Sequence, residues 1–247
     1  MEHKDIVADL HTHTIASGHA FSTVAEMVTG AQQKGLKMLA ITDHGPNLPG
    51  GPHLYHFSNG HIIPRQYPGL ELLWGVEANI VDVEGNLDVP EQYLDLLDIV
   101  LAGFHPEAGY DNRGIEDNTR AFIAAVRHPR VQILTHPGNP YYPVDYERVI
   151  PAAKAYGTAI EINNSSFTGF RKGSFEVCCE VAKIAKRHGA PLVINSDAHI
   201  ACQIGTFDKS LEVARIAGLE VSDVINTSIE SIRAHLKGKK ARVEACR

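Results

Sequence analysis

Nine residues of the kinds that bind divalent metals recur along the chain in a fixed order: His11 and His13, then His19, His44, Glu77, His105, His136, Asp197 and His199. Imidazole nitrogens and carboxylate oxygens are the donors that Zn2+ takes, and such sets also accept Mn2+, Fe2+ or Co2+. Each residue alone has an ordinary explanation. A single histidine after a strand is usually a satisfied loop residue, and Glu77 or Asp197 alone reads as a helix cap. The His-x-His pair is only moderately specific, because alternate residues of extended backbone face the same way. Their joint occurrence predicts a polynuclear metal site. Such a site generates a water-derived nucleophile near neutral pH and clamps an anionic substrate.

The donors need a scaffold that delivers them to one place. Short apolar runs predict strands at Ile6–Leu10, Met38–Thr42, Leu70–Val76, Ile99–Phe104, Val131–Thr135, Ala159–Ile162 and Pro191–Asn195. Amphipathic stretches predict helices at Val24–Lys34, Pro90–Leu97, Asn118–Val126, Tyr146–Tyr156, Phe175–His188 and Lys209–Ala217. Ser22-Thr23 and Pro90 suit helix starts, and Gly35, Gly157 and Gly189 suit left-handed helix ends. Strands alternating with helices imply βαβ units and a parallel sheet. Six of the seven predicted strands deliver a His, Glu or Asp just past their C-terminal ends. In a parallel barrel those ends form one face, where active sites sit. The expectation is an α/β protein, a single-domain distorted (β/α)7 TIM-like barrel with parallel strands. It would span residues 1–247, with a metal core at 9–199 and a lid loop at about 45–68.

Composition narrows the function. The 247 residues are 44% hydrophobic and 21% charged, with 21 Gly and 13 Pro, enough for a large core. No apolar run reaches the ~18 residues of a membrane span, and the opening Met-Glu-His-Lys-Asp lacks a signal-peptide layout. A net charge of −6, with basic residues clustered only at Lys237, Lys239, Lys240 and Arg242, argues against a dedicated nucleic-acid surface. The cysteines (Cys178, Cys179, Cys202, Cys246) form no CxxC pair, which suits a reducing cytoplasm. Barrel exteriors often pair, so a homo-oligomer is left open.

The nine donors lie in an HxH, third His, TDH, Glu, two separate His and late DxH pattern. That pattern resembles the polymerase and histidinol phosphatase (PHP) superfamily. The stretches Asp9–Thr14, Ala40–Pro46, Ala102–Pro106, His136–Pro140, Glu161–Phe167 and Ser196–His199 resemble its YcdX-like branch of zinc phosphatases. The resemblance implies a distorted seven-stranded barrel with three Zn2+ ions per chain. His11, His13, Glu77 and Asp197 would hold the first ion. Glu77 would bridge to a second, completed by His105 and His136, and His19, His44 and His199 would hold the third. Three divalent ions against two carboxylates leave a local charge of about +4, so an acidic protein still attracts phosphate. The implied reaction is hydrolysis of a small phosphate monoester through a metal-bridging hydroxide, with Glu77 and Asp197 positioning it.

Other residues gather around this set. Asp43 is placed to orient a ligand imidazole or to cap a turn. Phe170-Arg171-Lys172-Gly173-Ser174 precedes a helix, and Arg171 is a candidate phosphate contact. On the lid, His53 and His56, with Tyr55 and Phe57, suit a wall or proton donor, His56 being the candidate leaving-group contact. His61 reads as structural, and Arg65 is another conceivable phosphate contact. His3, His128, His188 and His235 are expected at the surface, and Cys178-Cys179 in the core. Three alternatives remain: a PHP nuclease or phosphoesterase acting on nucleic-acid ends or nucleotides, an amidohydrolase-type barrel, and a metal-storage protein. The amidohydrolase pattern would not need His19, Glu77 or the late DxH.

Overall fold

The computed structural model describes residues 1–167 and 171–246, with only the backbone at 240, 241, 242, 244 and 245. Phe170 therefore lies outside the described residues. Eight strands are formed: β1 (Ala8–Asp9), β2 (Met38–Ile41), β3 (Gln66–Tyr67), β4 (Leu70–Asn79), β5 (Ile99–Gly103), β6 (Ile133–Leu134), β7 (Ala159–Asn163) and β8 (Leu192–Asn195). The helices are α1 (Val24–Gln33), α2 (Tyr55–Ser58), α3 (Glu91–Leu94), α4 (Ile115–Arg127), α5 (Tyr146–Tyr156), α6 (Ser174–His188), α7 (Asp208–Ile216) and α8 (Ile229–Ala245).

Seven strands pair in parallel in the order β1-β2-β4-β5-β6-β7-β8, and β3 adds to β4 antiparallel. The expected parallel barrel is present. Its first strand is shorter than the predicted Ile6–Leu10, and β4 runs three residues past the predicted Val76, so Glu77 stands inside the strand rather than beyond it. The barrel closes between β8 and β1 with little backbone pairing. A parallel bridge joins Thr12 to Ala198 at the top. Below it Asn195 Oδ1 accepts from Leu10 N at 3.0 Å, and the Asn226 amide donates to Ala8 O and Ile194 O. Side-chain amides thus substitute for a ladder, which is why β1 is so brief.

Strand alternation separates two cores. Ala8, Leu10, Met38, Ala40, Leu73, Ile99, Leu101, Ile133, Ala159 and Val193 fill the barrel interior. Leu39, Ile41, Leu72, Val100, Leu134, Ile160 and Leu192 face outward under the helices. Gly75 is needed where β4 crosses β5, because a Cβ there would stand 2.4 Å from Ile99 O. Thr23 and Glu26 form a reciprocal capping box that starts α1.

The helix α8 was not anticipated. Ile225 and Ile232 join the interior core, with Ile229 and Leu236 packed against it, so α8 floors the end of the barrel opposite the histidines. Two residues read as surface or tail are buried there: His235 donates to Gln132 O at 2.9 Å, and Lys239 to Val126 O and Thr158 Oγ1. The segment expected to act as a lid, about 45–68, contains α2 and β3 where irregular chain was expected.

Candidate metal centre

The barrel brings all nine predicted donors into one cluster at the C-terminal ends of its parallel strands. His11 Nε2 lies 3.0 Å from His13 Nε2, 3.1 Å from Glu77 Oε2 and 3.5 Å from Asp197 Oδ1. His13 Nε2 is 3.2 Å from Asp197 Oδ1 and 3.5 Å from Glu77 Oε2. Around the other oxygen of the same carboxylate, Glu77 Oε1, stand His136 Nε2 at 2.8 Å and His105 Nε2 at 3.2 Å, themselves 3.1 Å apart. His44 Nδ1 is 2.9 Å from Glu77 Oε2. At the mouth, His19 and His199 meet through Nε2 atoms 3.0 Å apart, and His199 Nδ1 is 3.5 Å from Asp197 Oδ1. The first seven donors are buried, whereas His19 is exposed and His199 half-buried, so the cluster opens on that side.

The donors fit divalent metal in three respects. Tetrahedral coordination at about 2.0–2.1 Å puts neighbouring donors about 3.3 Å apart, close to the spacings of His11, His13, Glu77 and Asp197. His44 Nδ1, Glu77 Oε2 and Asp197 Oδ1 are buried and make no hydrogen bond, although nitrogens or oxygens approach them closely. Their lone pairs and protons do not point at one another, which is costly unless something else is shared. Finally, the outer nitrogens of most histidines are already fixed. His19 Nδ1 donates to Ser17 O and His199 Nδ1 to Asp197 O. With both Nδ1 atoms so engaged, the two rings bring their Nε2 atoms to 3.0 Å from each other, an arrangement a shared cation would satisfy.

Charge points the same way. Burial opposes charging of His11, yet Glu77, Glu161 and Asp197 hold its pKa well above the ordinary imidazole range in the absence of metal. Burial, with neighbouring His199, brings His13 down to about 4. Burial with Arg171 nearby does the same to His136, and burial beside His13 depresses His44. Burial would raise Glu77 and Asp197, but the surrounding histidines keep both well below the usual carboxylate range. His13, His44 and His136 are thereby favoured as neutral and Glu77 and Asp197 as ionised, the protonation states that bind metal, whereas His11 must give up a proton to ligate.

Behind the donors lies a shell of polar partners. Ser17 Oγ donates to Asp43 Oδ1 at 2.7 Å and accepts from His13 Nδ1 at 3.0 Å. Asp43 thus acts on an imidazole through Ser17, and it also receives Thr14 N and Thr14 Oγ. His105 Nδ1 donates to Asn79 Oδ1 at 2.7 Å, and Asn79 in turn donates to Asp88. Glu161, on the one strand from which no donor was expected, accepts from His11 Nδ1 at 2.7 Å and from the His136 amide at 2.8 Å. His136 and Asp197 both carry positive φ, +32° and +56°. For non-glycine residues that is strain of the kind found at functional sites.

The remaining candidates are distributed as follows. Arg171 reaches the cluster, with NH1 3.5 Å from Asp197 Oδ2 and 3.1 Å from Ser166 Oγ, and it is one-fifth exposed. His56 turns Nε2 onto Asp43 Oδ2 at 3.1 Å and packs on Trp74. His53 Nδ1 accepts from Tyr55 N, and His61 donates to Ser58 O at the exposed lid surface. Arg65 is not at the site. It bonds Asp98, Gly60 O and Ile63 O, pinning the lid to the loop before β5. Lys172 is exposed. Cys178 and Cys179 are buried in the core, where burial pushes the Cys178 thiol up to about 12.

A parallel barrel with a histidine-rich cluster at the C-terminal ends of its strands is the architecture of the PHP domain. The chain belongs to that family, whose model matches residues 9–239. A protein described as a probable phosphatase in Caldanaerobacter subterraneus subsp. tengcongensis is 48% identical over 238 residues, covering 96% of this chain and 94% of its own. A probable phosphatase of Acetivibrio thermocellus is 47% identical over 237 residues, 96% of this chain and 98% of its own. Among solved structures, the histidinol phosphate phosphatase of Lactococcus lactis subsp. lactis, complexed with zinc, L-histidinol and phosphate, superposes with a TM-score of 0.60. It covers 86% of this chain and 94% of that one at 16% identity, a likeness of fold.

Proposed function

We propose that this protein is a metal-dependent phosphatase that hydrolyses a small phosphate monoester at a trinuclear centre. The observation that carries the reading is the set of Nε2 atoms of His11, His13, His19, His105, His136 and His199 facing one another at 3.0–3.1 Å in three pairs, with Glu77 between the His11–His13 and His105–His136 pairs. His11, His13, Glu77 and Asp197 would hold one ion, and Glu77, His105 and His136 a second. His19 and His199 would hold a third with His44, which lies between the second and third groups. Zn2+ suits these donors, with Mn2+, Fe2+ or Co2+ as the other candidates. Such ions supply a water with pKa near 7 and offset the charge of phosphate.

The chain's own residues do the rest. Glu77 and Asp197 stay ionised and fix the spacing of the imidazoles. Arg171, beside Asp197, would receive a phosphate oxygen, as a guanidinium does well. His56, held by Asp43, keeps the lid against the site and limits water entry. The opening at His19 and His199 is where the leaving group would exit. The 48%-identical relatives described as probable phosphatases support the reaction class. The four cysteines are free thiols, which supports a cytoplasmic setting. Among the described residues no helix is long and apolar enough to cross a membrane.

The test is elemental analysis of the purified protein together with a p-nitrophenyl phosphate assay on the same sample. The expected result is about three transition-metal ions per chain and phosphate release abolished by a chelator. A folded sample with little metal and no hydrolysis would overturn the reading.

A further inference from the structure

Ala159 points into the barrel, so alternation along β7 turns Glu161 and Asn163 inward as well, beneath the cluster. Glu161 is buried, and its two oxygens take four bonds. Oε1 accepts from His11 Nδ1 at 2.7 Å and from Asn195 Nδ2 at 2.8 Å. Oε2 accepts from His136 N at 2.8 Å and from Asn163 Nδ2 at 3.1 Å. The donors cannot turn round. Asn195 uses Oδ1 to accept from Leu10 N, and Asn163 uses Oδ1 to accept from Ser166 N and Oγ. Four oriented donors therefore converge on a pocket that only an acceptor with two oxygens satisfies.

We propose that Glu161 is the positioning residue of the metal centre. It locks His11 with the proton on Nδ1 and Nε2 free to ligate, and it holds the strained backbone of His136 so that its ring reaches Glu77. Burying a carboxylate costs free energy, which an apolar residue on this strand would avoid. In return, His11 is oriented and made more basic, as carboxylate partners of ligating histidines do. The His136 amide at φ +32° is held by the same group. Asn163, itself bonded to Glu161, also donates to Asp197 Oδ2 at 3.1 Å. One side chain thus braces three of the donor residues while both of its oxygens are occupied away from the ions.

This inference rests on the metal-centre reading, and its test separates the two. Glu161→Gln keeps size and shape but has one acceptor oxygen, so its amide must face either the His11 Nδ1–H or the His136 N–H. The metal-stripped variant is titrated with Zn2+ and with Co2+ against a competing chelator, and its melting is compared with that of stripped wild type. The expected result is about 10–100-fold weaker binding of at least one ion, an altered Co2+ visible spectrum, and activity that recovers as metal is raised with KM unchanged. If wild type binds metal and the variant binds it equally well, Glu161 has no positioning role and the inference falls alone. If wild type binds none, the metal-centre reading falls too. Should the variant fail to fold, nitrogen NMR of the zinc-loaded wild type decides: His11 must show a protonated Nδ1 bonded to carboxylate, and a metallated Nδ1 overturns the proposal.

Discussion

His56 on the lid and Asp43 at the end of β2 are joined through Nε2 and Oδ2 at 3.1 Å, and Asp43 passes the connection through Ser17 to His13. The lid is therefore tied to the imidazole of His13, one of the proposed metal donors, by two intervening side chains. Replacing His56 by Ala leaves Asp43 its bonds to Thr14 and Ser17, so the barrel should keep its melting temperature within a few degrees. Cleavage within residues 45–68 in limited proteolysis should accelerate severalfold. An unchanged cleavage rate would show that Arg65 and its partners hold the lid alone.

Asp43 also carries a pH prediction. Burial alone would raise its pKa, but the bond and charge of His56, with Ser17 and His13, bring it down to about 2, below its ordinary 3.8. A depressed carboxylate stabilises the fold above its unfolded pKa and loses that contribution as pH falls through the folded one. The contribution is about 2 kcal/mol at neutral pH. In urea titrations of metal-stripped protein, the stability gap between wild type and Asp43→Asn should narrow as pH falls from about 5 to about 2. A gap independent of pH would refute the assignment.

Metal should stabilise as well as react. An ion that binds only the folded state adds about 2.7 kcal/mol at a free concentration one hundred times its dissociation constant. For a chain of this length that raises Tm by roughly 5–11 °C per site. Calorimetry of stripped and reloaded protein checks this, and identical melting curves would contradict it.

Arg171 predicts a kinetic split. Loss of a charge-assisted bond costs about 1.5–3 kcal/mol, so Arg171→Ala should lower kcat/KM for a phosphate monoester about 10–150-fold, mostly through KM. Metal content should not change, because Arg171 offers no lone pair to an ion. Loss of metal with KM intact would instead make it a brace for Asp197.

The barrel floor gives a purely structural prediction. Ile232 is fully buried against the interior core, so Ile232→Ala should cost about 2–5 kcal/mol in denaturant unfolding. Metal bound per folded chain should be unaltered. A cost near zero would mean α8 is not a working floor.

The clustering of the nine candidate donors was legible because most of them follow an apolar strand closely, with Glu77 inside one and His19 farther along the loop after β1, and because His-rich spacing has few other uses. Arg65 was legible as a cation but not by partner, since Asp98 and the lid carbonyls that hold it are set by the tertiary path of the loop. Glu161 escaped because its strand contributes no histidine. A signal was nevertheless present: Glu77-Ala78-Asn79 and Glu161-Ile162-Asn163 repeat a Glu-x-Asn pattern inside buried strands, where alternation sends both polar residues inward. The helix α8 escaped because Lys237, Gly238, Lys239 and Lys240 look like a solvated tail. Its signal was the spacing of Ile229, Ile232 and Leu236 along one helical face. The brevity of β1 was not legible, because Asn195 and Asn226 replace backbone pairing at that seam.

The seam also orders events in time. Asn226 stitches Ala8 to Ile194 across 218 residues of sequence on one side, so the first and last strands cannot be fastened until residue 226 has been made. His11 and Asp197 meet across that same seam, through the Asp197 amide and His11 O. A nascent chain stalled short of that residue would have its strands but an unfastened donor cluster, and under the proposed function metal capture would report closure of the seam rather than early collapse.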